Sequence, residues 1–103
     1  MDESSFARQA ERTLGALMNA VEDALGDEVE ADLDGGVLTI RLEGAGTYLL
    51  NMHRPNRQIW LSSPKSGAWH FDWRPEGGWV ATKGGERLEL LLGRELGRPL
   101  RLD

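Results

Sequence analysis

Between residues 34 and 85 the chain is cut at short, near-regular intervals by turn-forming residues: Asp34-Gly35-Gly36, Gly44-Ala45-Gly46, Arg54-Pro55-Asn56, Ser63 to Gly67, Pro75 to Gly78 and Gly84-Gly85. Segments this short suit strands and leave no room for helices. The run just before them alternates, with Val29, Ala31 and Leu33 pointing one way and Glu28, Glu30, Asp32 and Asp34 the other, which predicts a half-buried strand. Asp34-Gly35-Gly36 has the residues of a tight hairpin turn, and Leu38, Ile40 and Leu42 continue the apolar face in the returning strand. Further strands follow near 47–53, 57–62, 68–73 and 78–82, six in all, and short connections make them an antiparallel meander.

Helical stripes bracket this region. Phe6, Ala10, Leu14, Leu17, Val21 and Leu25 recur every three or four residues, with Ser4 or Ser5 as the expected cap and Gly26 as the stop. Leu88, Leu91, Leu92 and Leu96 form a second stripe ended by Gly97 and Pro99, and Leu100 and Leu102 of the tail are placed to fill the gap between the helices. Two apolar helix faces require a sheet to cover. The expected fold is therefore α+β, a two-layer sandwich with both terminal helices on one face of a six-stranded antiparallel sheet, a single domain over 1–103.

Helices on one side leave the other sheet face open. With Ile59, Leu61, Phe71 and Trp73 inward, parity sends Gln58, Trp60, His70 and Asp72 outward, and with Tyr48, Leu50 and Met52 inward it sends Leu49 and Asn51 outward. An aromatic ringed by polar groups, Trp60 with Asn51, Gln58 and His70, has the makeup of a docking surface. Trp69, Trp73 and Trp79 read as core or core edge.

Charge is segregated. Residues 1–34 hold ten acids against Arg8 and Arg12, a balance of -8, while the remaining seven acids and ten bases leave +3, within a total of -5. Glu22, Asp23, Asp27, Glu28, Glu30, Asp32 and Asp34 are expected to form one acidic ridge, a match for cations or a basic protein surface and not for nucleic acid. Alternate strand carboxylates stand roughly 6.6 to 6.8 Å apart, too far to close tightly on one ion, so weak binding of hydrated magnesium, calcium, manganese or ferrous iron is the natural chemistry. An EF-hand opening at Glu30, Asp32, Asp34 and Gly35 fails because Arg41 stands where the closing glutamate belongs. The bland reading of the same acids is a solvated face that confers solubility.

With no cysteine, the chain alone offers neither a thiol nucleophile nor a thiolate metal site. His53 and His70 have no third imidazole and read as surface residues. Ser62, Ser63, His70 and Asp72 lack a nucleophile elbow, and the paired glycines sit in turns and not in phosphate loops. No apolar run approaches a bilayer span and the acidic start is unlike a secretory or mitochondrial leader, so no membrane association and a cytoplasmic location are expected.

The block Tyr48 to Trp73 carries Asn51, Pro55-Asn56, Gln58-Ile59-Trp60-Leu61-Ser62-Ser63-Pro64, Ser66-Gly67 and Phe71-Asp72-Trp73. On these residues the chain resembles the frataxin family, with the acidic first helix before the block and the Trp-Val strand and leucine-rich helix after it in agreement. The resemblance implies the same sandwich fold and no enzymatic activity. It implies weak binding of iron, ferrous or ferric, on the acidic ridge, and docking of the Trp60 surface on the cysteine desulfurase and scaffold protein of iron–sulfur cluster assembly, as regulator or iron chaperone. A monomer that oligomerises with metal is expected; a ferroxidase-like iron store and a metal-free binding module are the alternatives. His70 and His53 depart from the arginine and glutamine that other members carry there, so a salt bridge made by that arginine is not carried over.

Overall fold

The computed structural model describes residues 1–102. Helix α1 (Glu3–Leu25) buries Phe6, Ala10, Leu14, Leu17, Val21 and Leu25, the stripe its periodicity demands, together with Thr13. Its cap is Asp2 and not Ser4 or Ser5: the Asp2 backbone is extended and its side chain accepts a 2.7 Å hydrogen bond from the Ser5 amide. A carboxylate three residues before that orphan N–H also opposes the positive helix end, and this moves the start ahead of both serines. Gly26 ends the helix at φ 53° and leads through a short 3-10 turn, Gly26–Glu28, into the sheet.

Strands β1 (Val29–Asp34), β2 (Val37–Leu42), β3 (Gly46–His53), β4 (Gln58–Ser63), β5 (Gly67–Arg74) and β6 (Gly78–Ala81) follow, and α2 (Leu88–Leu96) closes the fold. They form one antiparallel sheet in sequence order, β1 to β6. Gly35 and Gly36 both take positive φ, 59° and 81°, the pair of left-handed residues that a two-residue hairpin between twisted strands requires. That turn sets the register Asp34–Val37 and, five pairs on, Val29–Leu42.

One core lies between helices and sheet. Leu38, Ile40, Tyr48, Leu50, Ile59 and Phe71 from the strands meet Phe6, Leu14 and Leu17 of α1 and Leu88, Leu91 and Leu92 of α2, all without solvent exposure. Trp79 is buried with its indole donating to the Thr13 hydroxyl at 2.8 Å, which explains a threonine on the apolar stripe of α1. Trp69 and Trp73 are partly buried at the core margin. Gly93 lets the tail cross α2: a Cβ there would stand 2.9 Å from the Arg98 carbonyl oxygen. Leu100 then packs into the core, and Leu102 lies beside Gln9, Arg12 and Ala16 of α1 and Glu89 of α2.

Candidate docking face and acidic edge

Sheet register assembles the open face. Asn51 pairs with Trp60 and Trp60 with His70, so the three lie in one row across β3, β4 and β5. Gln58 sits between His53 and Asp72 in the next row of the same face. The Trp60 Nε1–H donates to Gln58 Oε1 at 2.8 Å, Gln58 Nε2 donates to Asp72 Oδ1 at 2.9 Å, and Arg74 approaches the other Asp72 oxygen at 3.8 Å. Gln58 and Asp72 are therefore tied to the indole and to one another, which holds this part of the surface in one shape before anything binds. Val37 and Leu49, 37% and 43% exposed, extend it with apolar area toward β1.

Trp60 is not the bare aromatic that parity alone suggests. His53 stacks on one face of the indole, centroids 3.6 Å apart, and His70 on the other at 4.2 Å, with interplanar angles of 8° and 9°. His53 is thus part of the surface, which its reading as an isolated surface histidine missed. The contact is diagonal, since His53 is paired with Gln58 while Trp60 is paired with Asn51; only the register of β3 on β4 reveals it.

The acidic residues follow the chain from the end of α1 through the 3-10 turn into β1. All seven candidates, Glu22, Asp23, Asp27, Glu28, Glu30, Asp32 and Asp34, are exposed. Glu30, Asp32 and Asp34 project from β1, the edge strand, on the open-face side, because Val29, Ala31 and Leu33 turn toward the helices. Glu22 and Asp23 belong to the helical layer, and Asp27 and Glu28 to the turn joining the two layers. The acids therefore straddle the sheet edge. Glu30 faces Arg41 across the β1–β2 pair, which puts one positive charge within the acidic surface. Asp27, Glu28, Glu30, Arg41 and Glu43 line a shallow depression of about 330 Å³. Among the described residues no three acidic or histidine side chains are placed to hold one metal ion. The donors are hard, dispersed and solvated, an arrangement suited to a mobile hydrated cation. Glu43 and Arg41 were legible in principle, since extending the hairpin register one residue beyond Val29–Leu42 sets Glu28 opposite Glu43.

A third cluster was not foreseen. Glu95 of α2 accepts hydrogen bonds from the Tyr48 hydroxyl at 3.0 Å, Ser63 at 2.6 Å and Ser66 at 2.5 Å, while the Ser63 oxygen accepts from the Lys65 and Ser66 amides, both at 3.0 Å. Lys65 Nζ donates to the Glu95 carbonyl at 2.8 Å. Burial by itself pushes the Glu95 carboxyl up, but the three hydroxyl donors outweigh it and hold the group below its ordinary range. The Tyr48 phenol is pushed up to about 12 by burial and by the adjacent carboxylate. The Ser-Ser-Pro loop is thereby tied to the second helix.

Comparison with known proteins agrees with this architecture. The frataxin-like domain family matches residues 1–101. The chain is 41% identical to mitochondrial frataxin of Arabidopsis thaliana, over 100% of this chain and 60% of that protein, and 46% identical to that of Caenorhabditis elegans over 66% and 51%. It thus spans between half and two thirds of these mitochondrial relatives. It is 33% identical to the iron-sulfur cluster assembly protein CyaY of Ralstonia nicotianae, covering 100% of this chain and 92% of that protein. Among solved structures, frataxin from Psychromonas ingrahamii superposes with a TM-score of 0.81 over 100% and 99% of the two chains at 20% identity, a likeness of fold. Trimeric frataxin of Saccharomyces cerevisiae complexed with ferrous iron superposes at 0.76 with 32% identity, over 89% and 85%. A six-stranded antiparallel sheet under two terminal helices, matched along nearly its full length by the family, establishes that this chain belongs to the frataxin family.

Proposed function

We propose that this chain is a non-enzymatic accessory protein of iron–sulfur cluster assembly, working in the cytoplasm, that meets ferrous iron or a basic partner surface along the β1 edge and docks through the Trp60 face on a complex of cysteine desulfurase and scaffold protein. The observation that carries this is the adjacency of two features on one side of the sheet in a frataxin-family chain. The row Asp34–Val37–Asn51–Trp60–His70 runs without interruption from acidic edge to aromatic stack. A partner broad enough to cover the indole reaches the carboxylates as well. The name of the Ralstonia relative places that protein in iron–sulfur assembly, and the yeast frataxin structure associates that protein with ferrous iron.

Mechanistically, dispersed exposed carboxylates raise the local concentration of hydrated cations without enclosing them, which favours release to a partner over storage. With no cysteine, the chain leaves sulfur to the desulfurase. Occupying the complex regulates turnover. The test is desulfurase turnover and complex formation with the wild-type protein and with Trp60→Arg. A changed rate that reverts in the variant supports docking; unchanged rates with no detectable complex remove it. Titration with ferrous iron, followed by amide shifts, should move signals between Glu22 and Asp34, and silence there would leave a metal-free binding module.

The trimeric yeast structure favours a second reading, an iron store that assembles with metal. Growth of the light-scattering mass on adding ferrous iron supports that reading; a constant monomer mass removes it.

A further inference from the structure

The two histidines that enclose Trp60 are not held alike. Nδ1 of His53 is buried with no hydrogen-bond partner among the described residues. A neutral imidazole tolerates this site with its proton on Nε2 and a lone pair on Nδ1, whereas an imidazolium carries an N–H on both nitrogens and would aim a donor into a buried place where nothing accepts it. A cation over an indole face gains attraction, but at a partly exposed site that gain is smaller than the penalty of a buried unmatched donor. Surrounding charges offer little relief. The elements around His53 carry Arg54 and Arg57 in the β3–β4 turn, His70, Asp72 and Arg74 on β5, Lys83 after β6, Asp34 at the end of β1 and Glu3 of α1, which lies 4.0 Å from Arg54. Asp72 is already engaged by Gln58 and Arg74.

We propose that proton uptake by His53 is a switch built into the docking face. The neutral ring completes the His53–Trp60–His70 stack and presents the indole edge-on, with both its faces covered. The protonated ring leaves the stack, frees one indole face and adds positive charge where a basic partner lands. The consequence for binding rests on the docking reading above; the opening of the stack does not.

Two measurements separate them. On the free protein, ring protons of His53 over the indole are displaced upfield in side-chain proton–carbon spectra. This displacement should vanish from about pH 8 to about pH 5.5 while the core methyl signals of Leu50 and Ile59 hold their positions, and Trp60→Leu should lack it throughout. A His53 ring that keeps its displacement at the acid end overturns the switch. Affinity for the desulfurase–scaffold complex is then compared at the two pH values. The wild type should weaken on acidification by at least about fivefold and His53→Gln by less than about twofold. Equal ratios in the two proteins overturn the switch and leave docking intact. No complex at either pH removes docking and with it the regulatory role, even where the stack opens.

Discussion

Glu95 illustrates how one side chain converts a loop into part of the fold. Three hydroxyls converge on it from β3, β4 and the loop after β4. Replacing it with alanine strands the buried Tyr48 and Ser63 hydroxyls, with an expected cost of about 1–3 kcal/mol in urea unfolding near pH 7. The pH dependence has a definite sign at each end. Because the folded Glu95 carboxyl lies below its ordinary range, its contribution is present above about pH 4.5 and is lost as pH falls through the depressed value. Because folding raises the Tyr48 phenol to about 12, its contribution is complete below about pH 10 and is lost as pH climbs toward that value. Tyr48→Phe should therefore unfold with less alkaline sensitivity than the wild type, at a cost of about 1 kcal/mol at neutral pH. An unchanged alkaline limb in that variant would refute the assignment.

Elements respond to their glycines in opposite ways. Gly15 lies within α1 with nothing within 4 Å of an added Cβ, so Gly15→Ala should stabilise the protein by about 0.5–1 kcal/mol through helix propensity and a less flexible unfolded chain. Gly93 of α2 enjoys the same propensity argument, yet its added Cβ would strike the Arg98 carbonyl and crowd the Leu100 amide. Gly93→Ala should cost about 1–3 kcal/mol as the tail shifts, read by thermal melts and by loss of amide protection at Leu100. Two chemically identical changes thus acquire opposite signs from their neighbours. Both helices and all six strands were legible from periodicity and turn residues, because a buried stripe and a hairpin turn are local demands. The Asp2 cap escaped that reading, since Asp2, Ser4 and Ser5 can each cap a helix and only backbone geometry chooses among them.

At the scale of the whole molecule, segregated charge is a cost that the folded state carries. Raising ionic strength from about 0.01 M to about 0.15 M shortens the screening length from roughly 30 Å to roughly 8 Å, and the melting temperature should rise as repulsion along the β1 edge is damped. Magnesium or manganese at matched ionic strength should raise it further if ions associate with the acids. An identical rise with sodium chloride would reduce the edge to a screened surface without bound ions. The same experiment in Glu30→Gln/Asp32→Asn assigns the effect to the strand, since these two carboxylates project from β1 and Glu22 and Asp23 do not.

Composition and periodicity determined by themselves that this chain has two helices, six strands and a core on one side of the sheet, because burial of apolar area is a local property of spacing. They also determined which residues share the open face, through the strict two-residue repeat of a strand. Distances between strands were decided only by the tertiary structure. The register of β3 on β4 brought His53 diagonally onto Trp60, and the packing of α2 on the sheet carried the carboxylate of Glu95 to the hydroxyl of Tyr48, 47 residues earlier in the chain.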